Sequence, residues 1–213
     1  GHSVGKTYGL GLGVLWWFDC RGCVFTTAPT GYQVNDLLWR YMRQHLQKCL
    51  IRYPARPLKT PCMEVSGDAE RWAKGRSSDD PTNMQGYHAP RLLVVIDEAG
   101  GVPDEMIRVL ETMAQGHGSC IAMIGNPNHK RSKFRAACYE DRQFWHRITM
   151  SCWNSCNVLA GREVVPGMVT REWCEEMLAT CGEKSAVYLC KVLGEFPPED
   201  ATDQTAPRAR RWR

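Results

Sequence analysis

An α/β fold, with a mainly parallel β-sheet between layers of helix, is what this sequence of 213 residues predicts, and three observations carry the prediction. The runs Cys23–Ala28 and Leu92–Ile96 are continuously apolar or β-branched rather than alternating, which marks strands covered on both faces. Stretches with apolar residues at helical spacing separate such runs, and strand alternating with helix is the pattern that builds parallel sheets. The run at 92–96 ends on two acids, Asp97 and Glu98, at the sheet edge where open α/β folds bind ligands.

Taken in order, residues 7–18 have the length of a helix. Gly9, Gly11 and Gly13 weaken it by up to ~1 kcal/mol each, so tertiary packing must hold it. The strand at 23–28 is bounded by Gly22 and Pro29. Thr30 and Gln33 then stand three apart as in a capping box, ahead of Val34, Leu37, Leu38, Tyr41, Met42 and Leu46 at helical spacing. Residues 52–90 are rich in proline and polar side chains and read as mostly loop, with a short strand near 63–65. After the strand at 92–96, Met106, Ile107, Leu110 and Met113 predict a helix, "CIAMIGNPN" (120–128) another buried strand, and "FWHRITM" (144–150) a further one. Thr170 caps a helix that carries Trp173, Cys174, Met177, Leu178 and Cys181 and that Gly182 stops. A last helix is expected over 185–193, and the remainder has the Pro, Asp and Arg content of a disordered tail.

Composition excludes several classes. An apolar fraction of 43% with 23% charged residues suits one globular core, and no apolar run approaches the roughly 18 residues of a membrane span. "LGLGVLWWF" at 10–18 is too short and lacks a cleavage pattern, so a cytoplasmic location is expected. The eleven cysteines are odd in number and several lie within apolar runs, which favours reduced thiols. "CRGC" (Cys20, Cys23) begins like a zinc motif, but no matching second half or paired histidines follow. The net charge of +4 comes from Arg208, Arg210, Arg211 and Arg213, and without them 23 basic side chains face 23 acidic ones. Bulk charge therefore does not point to nucleic acid.

The chemistry lies in spaced motifs. "GHSVGKT" (residues 1–7) is most of a phosphate-binding loop: backbone N–H groups of Gly1, His2, Ser3, Val4 and Gly5 and a helix N-terminus converge on an anion, Lys6 reaches the β- and γ-phosphates, and the Thr7 hydroxyl ligates Mg²⁺. The strict pattern wants four residues between its glycines, and here Gly1 and Gly5 enclose three. Some ninety residues on, Asp97 and Glu98 supply what hydrolysis of ATP needs: one carboxylate for the metal and one to activate water. Asn126, just past another apolar run, is placed to sense the γ-phosphate or the attacking water, or else to turn the chain before Pro127.

Five segments in this order, "GHSVGKT" (1–7), "TTAPTGYQV" (26–34), "GYHAPRLLVVIDEAGGVPDEM" (86–106), "GNPN" (125–128) and "VLGEFP" (192–197), resemble the ATPase domain of the large terminase subunit of tailed bacteriophages. The resemblance implies an ASCE-type P-loop NTPase core over 1–198 that lacks its first strand, followed by a disordered basic tail over 199–213. It also implies that the family's nuclease domain is absent. The activity implied is hydrolysis of ATP with Mg²⁺ to drive double-stranded DNA into procapsids in the host cytoplasm. The implied partners are a portal protein, a small terminase subunit and copies of the chain in a ring. By this resemblance Lys6 and Thr7 bind phosphate and metal, Asp97 supports the metal, Glu98 activates water, and Asn126 couples hydrolysis to movement. The family's arginine finger directs attention to Arg71 and Arg76 in the polar loop. A helicase-like translocase and an inactive prophage remnant are the alternatives. Gln33 falls in a segment like helicase motifs, although capping already explains it. A loop without its preceding strand is expected to be ordered only on binding, and so to hold nucleotide weakly, and the "ARRWR" end is a candidate for contact with DNA phosphates and bases.

Overall fold

A computed structural model describes residues 1–78, 84 and 86–198, and the 199–213 tail lies outside the described residues. The chain divides into two compact units, one of Lys6–Gly125 and the other of Gly1–Gly5 with the chain from Asn126 onward.

The Lys6–Gly125 unit is built on a five-stranded sheet. Its strands are β1 (Cys23–Ala28), β2 (Cys62–Val65), β3 (Asp68–Ser77), β4 (Leu92–Ile96) and β5 (Cys120–Met123), in the order β2-β3-β1-β4-β5. β3, β1, β4 and β5 run parallel, and only β2 is antiparallel to its neighbour. All six residues of β1 are buried, as its lack of alternation requires. Helix α1 (Lys6–Asp19) leads into β1, and α2 (Trp39–Gln47) continues from a π-helical turn at Gln33–Leu38. The capping box forms in both directions: Gln33 N–H donates to Thr30 Oγ1 at 3.3 Å, and Thr30 N–H donates to Gln33 Oε1 at 3.1 Å. Of the α1 glycines, Gly11 is buried. It lies where α1 packs on α2, and a Cβ there would meet Tyr41 and His45 at 3.4 Å, an ordinary contact distance.

Val14 and Phe18 of α1, Val24 and Val95 of the sheet, and Leu38, Trp39 and Met42 form one core with Met63 and Ala73 of the hairpin. Each such side chain, fully buried, stabilises by roughly 1.5–3 kcal/mol. Trp39 donates its indole N–H to Thr26 Oγ1 at 2.8 Å, which satisfies the one polar atom of the ring. Helix α3 (Asp104–Met113) packs on β4 with Met106, Ile107, Leu110 and Met113 buried, as the spacing predicts.

Three expectations are corrected. Residues 68–77 are a ten-residue strand rather than loop, because the turn at Gly67 (φ 81°) closes a hairpin with β2. β5 is not buried. It is the edge strand of the described sheet, and Ile121, Ala122 and Met123 are half-exposed. Residues 144–150 form no strand: no strand among the described residues pairs with them, and Phe144 and Ile148 are 78% and 76% exposed.

The other unit is helical. It holds α4 (Lys133–Cys138), α5 (Cys156–Ala160), α6 (Arg171–Cys181) and α7 (Ala186–Tyr188), the last running into a π-helical turn at Leu189–Leu193. Side-chain caps start three of them: Ser132 accepts from Arg135 N–H, Thr170 from Trp173 N–H and Ser185 from Tyr188 N–H. Its core joins Val4 to Cys152, Val158, Val169, Cys174, Met177 and Tyr188. All eleven cysteines are free thiols.

Candidate functional site

The site is assembled from the N-terminus of α1 and the C-terminal ends of the parallel strands. Asp97 follows β4 directly, and its N–H donates to Thr27 O at 2.9 Å, which fixes it as the last rung of the ladder with β1. The side chain is 2% exposed. Its Oδ1 accepts the Glu98 N–H at 3.0 Å and, across ninety residues of sequence, the Thr7 hydroxyl at a long 3.5 Å. Its Oδ2 is buried and has no hydrogen-bond partner. Burial pushes the carboxyl up to about 6, and the neighbouring charge of Glu98 pushes the same way. The Glu98 N–H, the Thr7 hydroxyl and the positive charge of Lys6 act in the opposite sense.

A buried carboxylate oxygen without a partner costs free energy unless something positive meets it. One carboxylate and one hydroxyl, with the rest of the shell left to phosphate oxygens and water, is a donor set that suits a small hard cation such as Mg²⁺. Thr7 and Asp97 are the residues that could hold it. No group of three or more His, Cys, Asp or Glu gathers for a metal among the described residues.

Glu98 has φ 49° and ψ 44°, the left-handed region that non-glycine residues rarely occupy, at a cost on the order of 1–3 kcal/mol. The conformation is held from both sides. Ala99 N–H donates to Ile124 O at 2.9 Å, and Gly101 N–H donates to Glu98 O at 2.8 Å. A Cβ on Gly125 would come within 3.1 Å of Ala99 N and 3.5 Å of the Glu98 Cα, so a side chain there would press on the backbone that holds Glu98.

The five residues before Lys6 are not the unsupported loop that the sequence suggests. The Gly1 nitrogen donates to Met150 O at 2.6 Å, His2 N–H to Lys191 O at 2.7 Å, and Val169 N–H to Ser3 O at 3.1 Å. Val4 is 5% exposed within the helical core. The turn uses positive φ at Ser3 (50°) and Gly5 (81°). Gly1 leaves no room for a side chain, since a Cβ would lie 2.8 Å from Cys152 Sγ and Met150 O, and a Cβ on Gly194 (φ 74°) would collide with the Gly1 backbone. The entropy of ordering this loop is therefore largely met by folding.

Lys6, Thr7, Asp97 and Glu98 thus come together, while Gly1–Gly5 and Asn126 belong to the helical unit. Asn126 O accepts the Asn128 N–H at 2.8 Å in the turn the sequence anticipates. The two arginines part company. Arg71, in β3, donates from Nε and Nη2 to Phe18 O at 3.1 and 2.8 Å and from Nη2 to Asp19 O at 3.1 Å, capping the far end of α1. Arg76 is exposed near the C-terminal end of β3, in register with Thr27, and so lies on the same sheet edge as Asp97. Sequence reasoning missed Thr27, whose Oγ1 is also buried without a partner beside Asp97. The paired threonines Thr26 and Thr27, next to the end of an otherwise apolar strand, were the available signal.

No protein-family model matches the chain. A "Probable terminase, large subunit" of Enterobacteria phage P7 is 26% identical over 92% of this chain and 41% of its own length. The large terminase of a thermophilic bacteriophage superposes with a TM-score of 0.63 at 11% identity, over 92% of this chain and 45% of that one. The ATPase domain of the Thermus phage P74-26 large terminase gives 0.59 at 15% identity, over 92% of this chain and 86% of that domain. The thermophilic bacteriophage protein has also been solved in complex with ADP, at a TM-score of 0.59. The chain spans less than half the length of the Enterobacteria phage relative and of the thermophilic bacteriophage terminase. Its fold is that of a phage large-terminase ATPase domain, and its sequence relative is a terminase large subunit.

Proposed function

We propose that this chain is the ATP-hydrolysing part of a phage DNA-packaging motor. The single observation that carries the reading is the Thr7–Asp97 contact, which joins the phosphate-loop helix to an acid whose second oxygen is buried and unmatched. Residues 1–5 and the N-terminus of α1 bind the phosphates, with Lys6 against the β- and γ-oxygens. Thr7 and Asp97 hold Mg²⁺, which when bound neutralises charge on those phosphates. Glu98, half-buried next to Asp97, orients and deprotonates the attacking water. Arg76, on the same sheet edge, is the arginine available to stabilise the transferring phosphoryl group, and Asn126 reports the state of the γ-phosphate.

In the longer protein this cycle moves double-stranded DNA, with a portal protein, a small terminase subunit and further copies of the chain in a ring as partners. Among the described residues no helix is long and apolar enough to cross a membrane. The test is Mg²⁺-dependent release of phosphate from ATP by the chain. Turnover is expected in the wild type and abolished in Lys6→Ala, and equal turnover in the two would overturn the reading.

A further inference from the structure

Within the helical unit, one short stretch of chain touches both the loop at residues 1–5 and the segment that begins at Asn126. It is the π-helical turn Leu189–Leu193 with Gly194 after it, and π-turns recur at functional sites. The last carbonyls of a helix have no partner within it, and here the loop side takes them. His2 N–H donates to Lys191 O at 2.7 Å, Cys152 Sγ lies 3.3 Å from both Lys191 O and His2 O, and the Ser151 hydroxyl donates to Val192 O at 3.4 Å. Gly194 lies against the Gly1 backbone.

The side-chain face of the same turn meets the other segment. Cys190, itself buried, donates its thiol hydrogen to Asn128 Oδ1, and Asn128 N–H donates in turn to Asn126 O at 2.8 Å. Around this contact Pro127 and Asn128 face Ala186, Val187, Cys190 and Pro197 across a cleft of about 160 Å³, below the roughly 300–1,000 Å³ of ligand pockets. The cleft is thus room for a small shift rather than a place for a ligand, and a thiol is a weak donor, which makes the joint a soft one. Beyond the turn, Phe196 packs edge-on against Phe134 and Tyr139 and pins the chain there. A displacement that starts at residues 1–2 is therefore passed to Cys190 rather than lost along the chain.

We propose that the turn at 189–194 carries the state of the nucleotide from residues 1–5 to Asn126, and that Cys190, acting through Asn128, is a positioning residue for Asn126. The inference rests on the reading of residues 1–7 as a phosphate-binding loop and of Asn126 as the reporter of the γ-phosphate. It adds a second route to that asparagine, one that needs no contact with the γ-phosphate.

The experiment is amide hydrogen exchange on the whole chain with and without Mg²⁺·ADP. ADP has no γ-phosphate, so a response at residues 126–130 does not arise from Asn126 touching that group. In the wild type, exchange is expected to slow in peptides covering residues 1–7, 189–195 and 126–130, the last by about fivefold or more, the low end of allosteric couplings. Cys190→Ala should keep the response at 1–7 and lose it at 126–130, and its kcat for ATP should fall by about fivefold or more with KM within about twofold of wild type. Asn128→Ala cuts the same tie from the exposed side and should behave alike. Cys190→Ser keeps a hydroxyl donor and should restore both the response and kcat. If the wild type responds at 1–7 and not at 126–130, or Cys190→Ala responds at both, the relay is overturned while the phosphate site stands. If Cys190→Ser fails as Cys190→Ala does, Cys190 is only a packing residue and the proposal fails. If ADP changes nothing at 1–7 and the wild type releases no phosphate from ATP, the nucleotide reading itself is wrong and the relay falls with it.

Discussion

The loop at residues 1–5 and the acidic pair are held in opposite ways. Residues 1–5 are fixed by sterics and backbone hydrogen bonds: glycines at 1 and 194 meet without side chains, Val4 is anchored in a core, and three backbone groups are paired into the 150–191 segment. Asp97 and Glu98 are fixed by the sheet and remain under stress. One is a buried carboxyl with an unmatched oxygen, and the other is a non-glycine residue at positive φ. The loop should therefore contribute affinity and stability together, whereas the acids should trade stability for reactivity, as preorganised sites do.

The largest effect that sharpens this contrast is on rate. Glu98→Gln keeps size and backbone but removes the proposed base, so ATP turnover should fall by about 10²–10⁴-fold with ATP affinity within a few-fold of wild type. Single-turnover hydrolysis and calorimetry check the two halves, and a variant that still turns over would remove Glu98 from its role.

Next is the stress on Asp97, measured as stability in metal-free buffer. The folded chain holds this proton at a pKa of about 6 against an ordinary 3.8, so the native state binds it more tightly than the unfolded state. Stability contributed by this group falls as pH rises from about 4 to about 6, and above that the cost stands in full, roughly 2–3 kcal/mol for a shift of this size. Asp97→Asn should thus unfold at higher urea than wild type at pH 8, by about that amount, and show no gain near pH 4. It should hydrolyse no ATP. A loss of stability at pH 8 would mean that the acid is not under stress.

Much of this was legible in the sequence and some could not be. The two buried strands, the capping box of Thr30 and Gln33, and the loop with its distant acid pair all declare themselves locally, because apolar runs, cap spacing and glycine-lysine chemistry act over a few residues. β3 was hidden because Glu70, Arg71, Lys74 and Arg76 give it the composition of a loop. The strand copes by pairing Lys74 with Glu64 at 3.1 Å and laying it over Trp72. The run at 144–150 misleads in the other direction, since apolar content makes a strand only where a partner edge exists. The closing "VLGEFP" gave no hint of its job, because Gly194 matters through contact with a residue at the opposite end of the sequence.

That contact supplies the third prediction, from the loop side of the comparison. Gly194→Ala puts a side chain at φ 74° and into the Gly1 backbone, which should destabilise the chain by about 1–2 kcal/mol and weaken nucleotide binding in the same variant. Stability lost with unchanged affinity would separate the loop from its anchor and break the contrast drawn here.

The smallest effect concerns Arg71. Its three hydrogen bonds go to the carbonyls of Phe18 and Asp19, where the negative end of the α1 dipole also attracts a cation. α1 has 14 residues, so Lys6 stands about 20 Å away at the other end of the helix. Arg71→Ala should therefore cost about 1 kcal/mol in urea unfolding, the scale of a lost cap, and leave ATP turnover unchanged. Arg76→Ala is the matched control on the sheet edge that carries Asp97: little stability is at stake for an exposed side chain there, and a drop in turnover would assign it the charge-stabilising role. A drop in turnover in Arg71→Ala at full stability would reverse the assignment and require the arginine to act on the site of another copy of the chain.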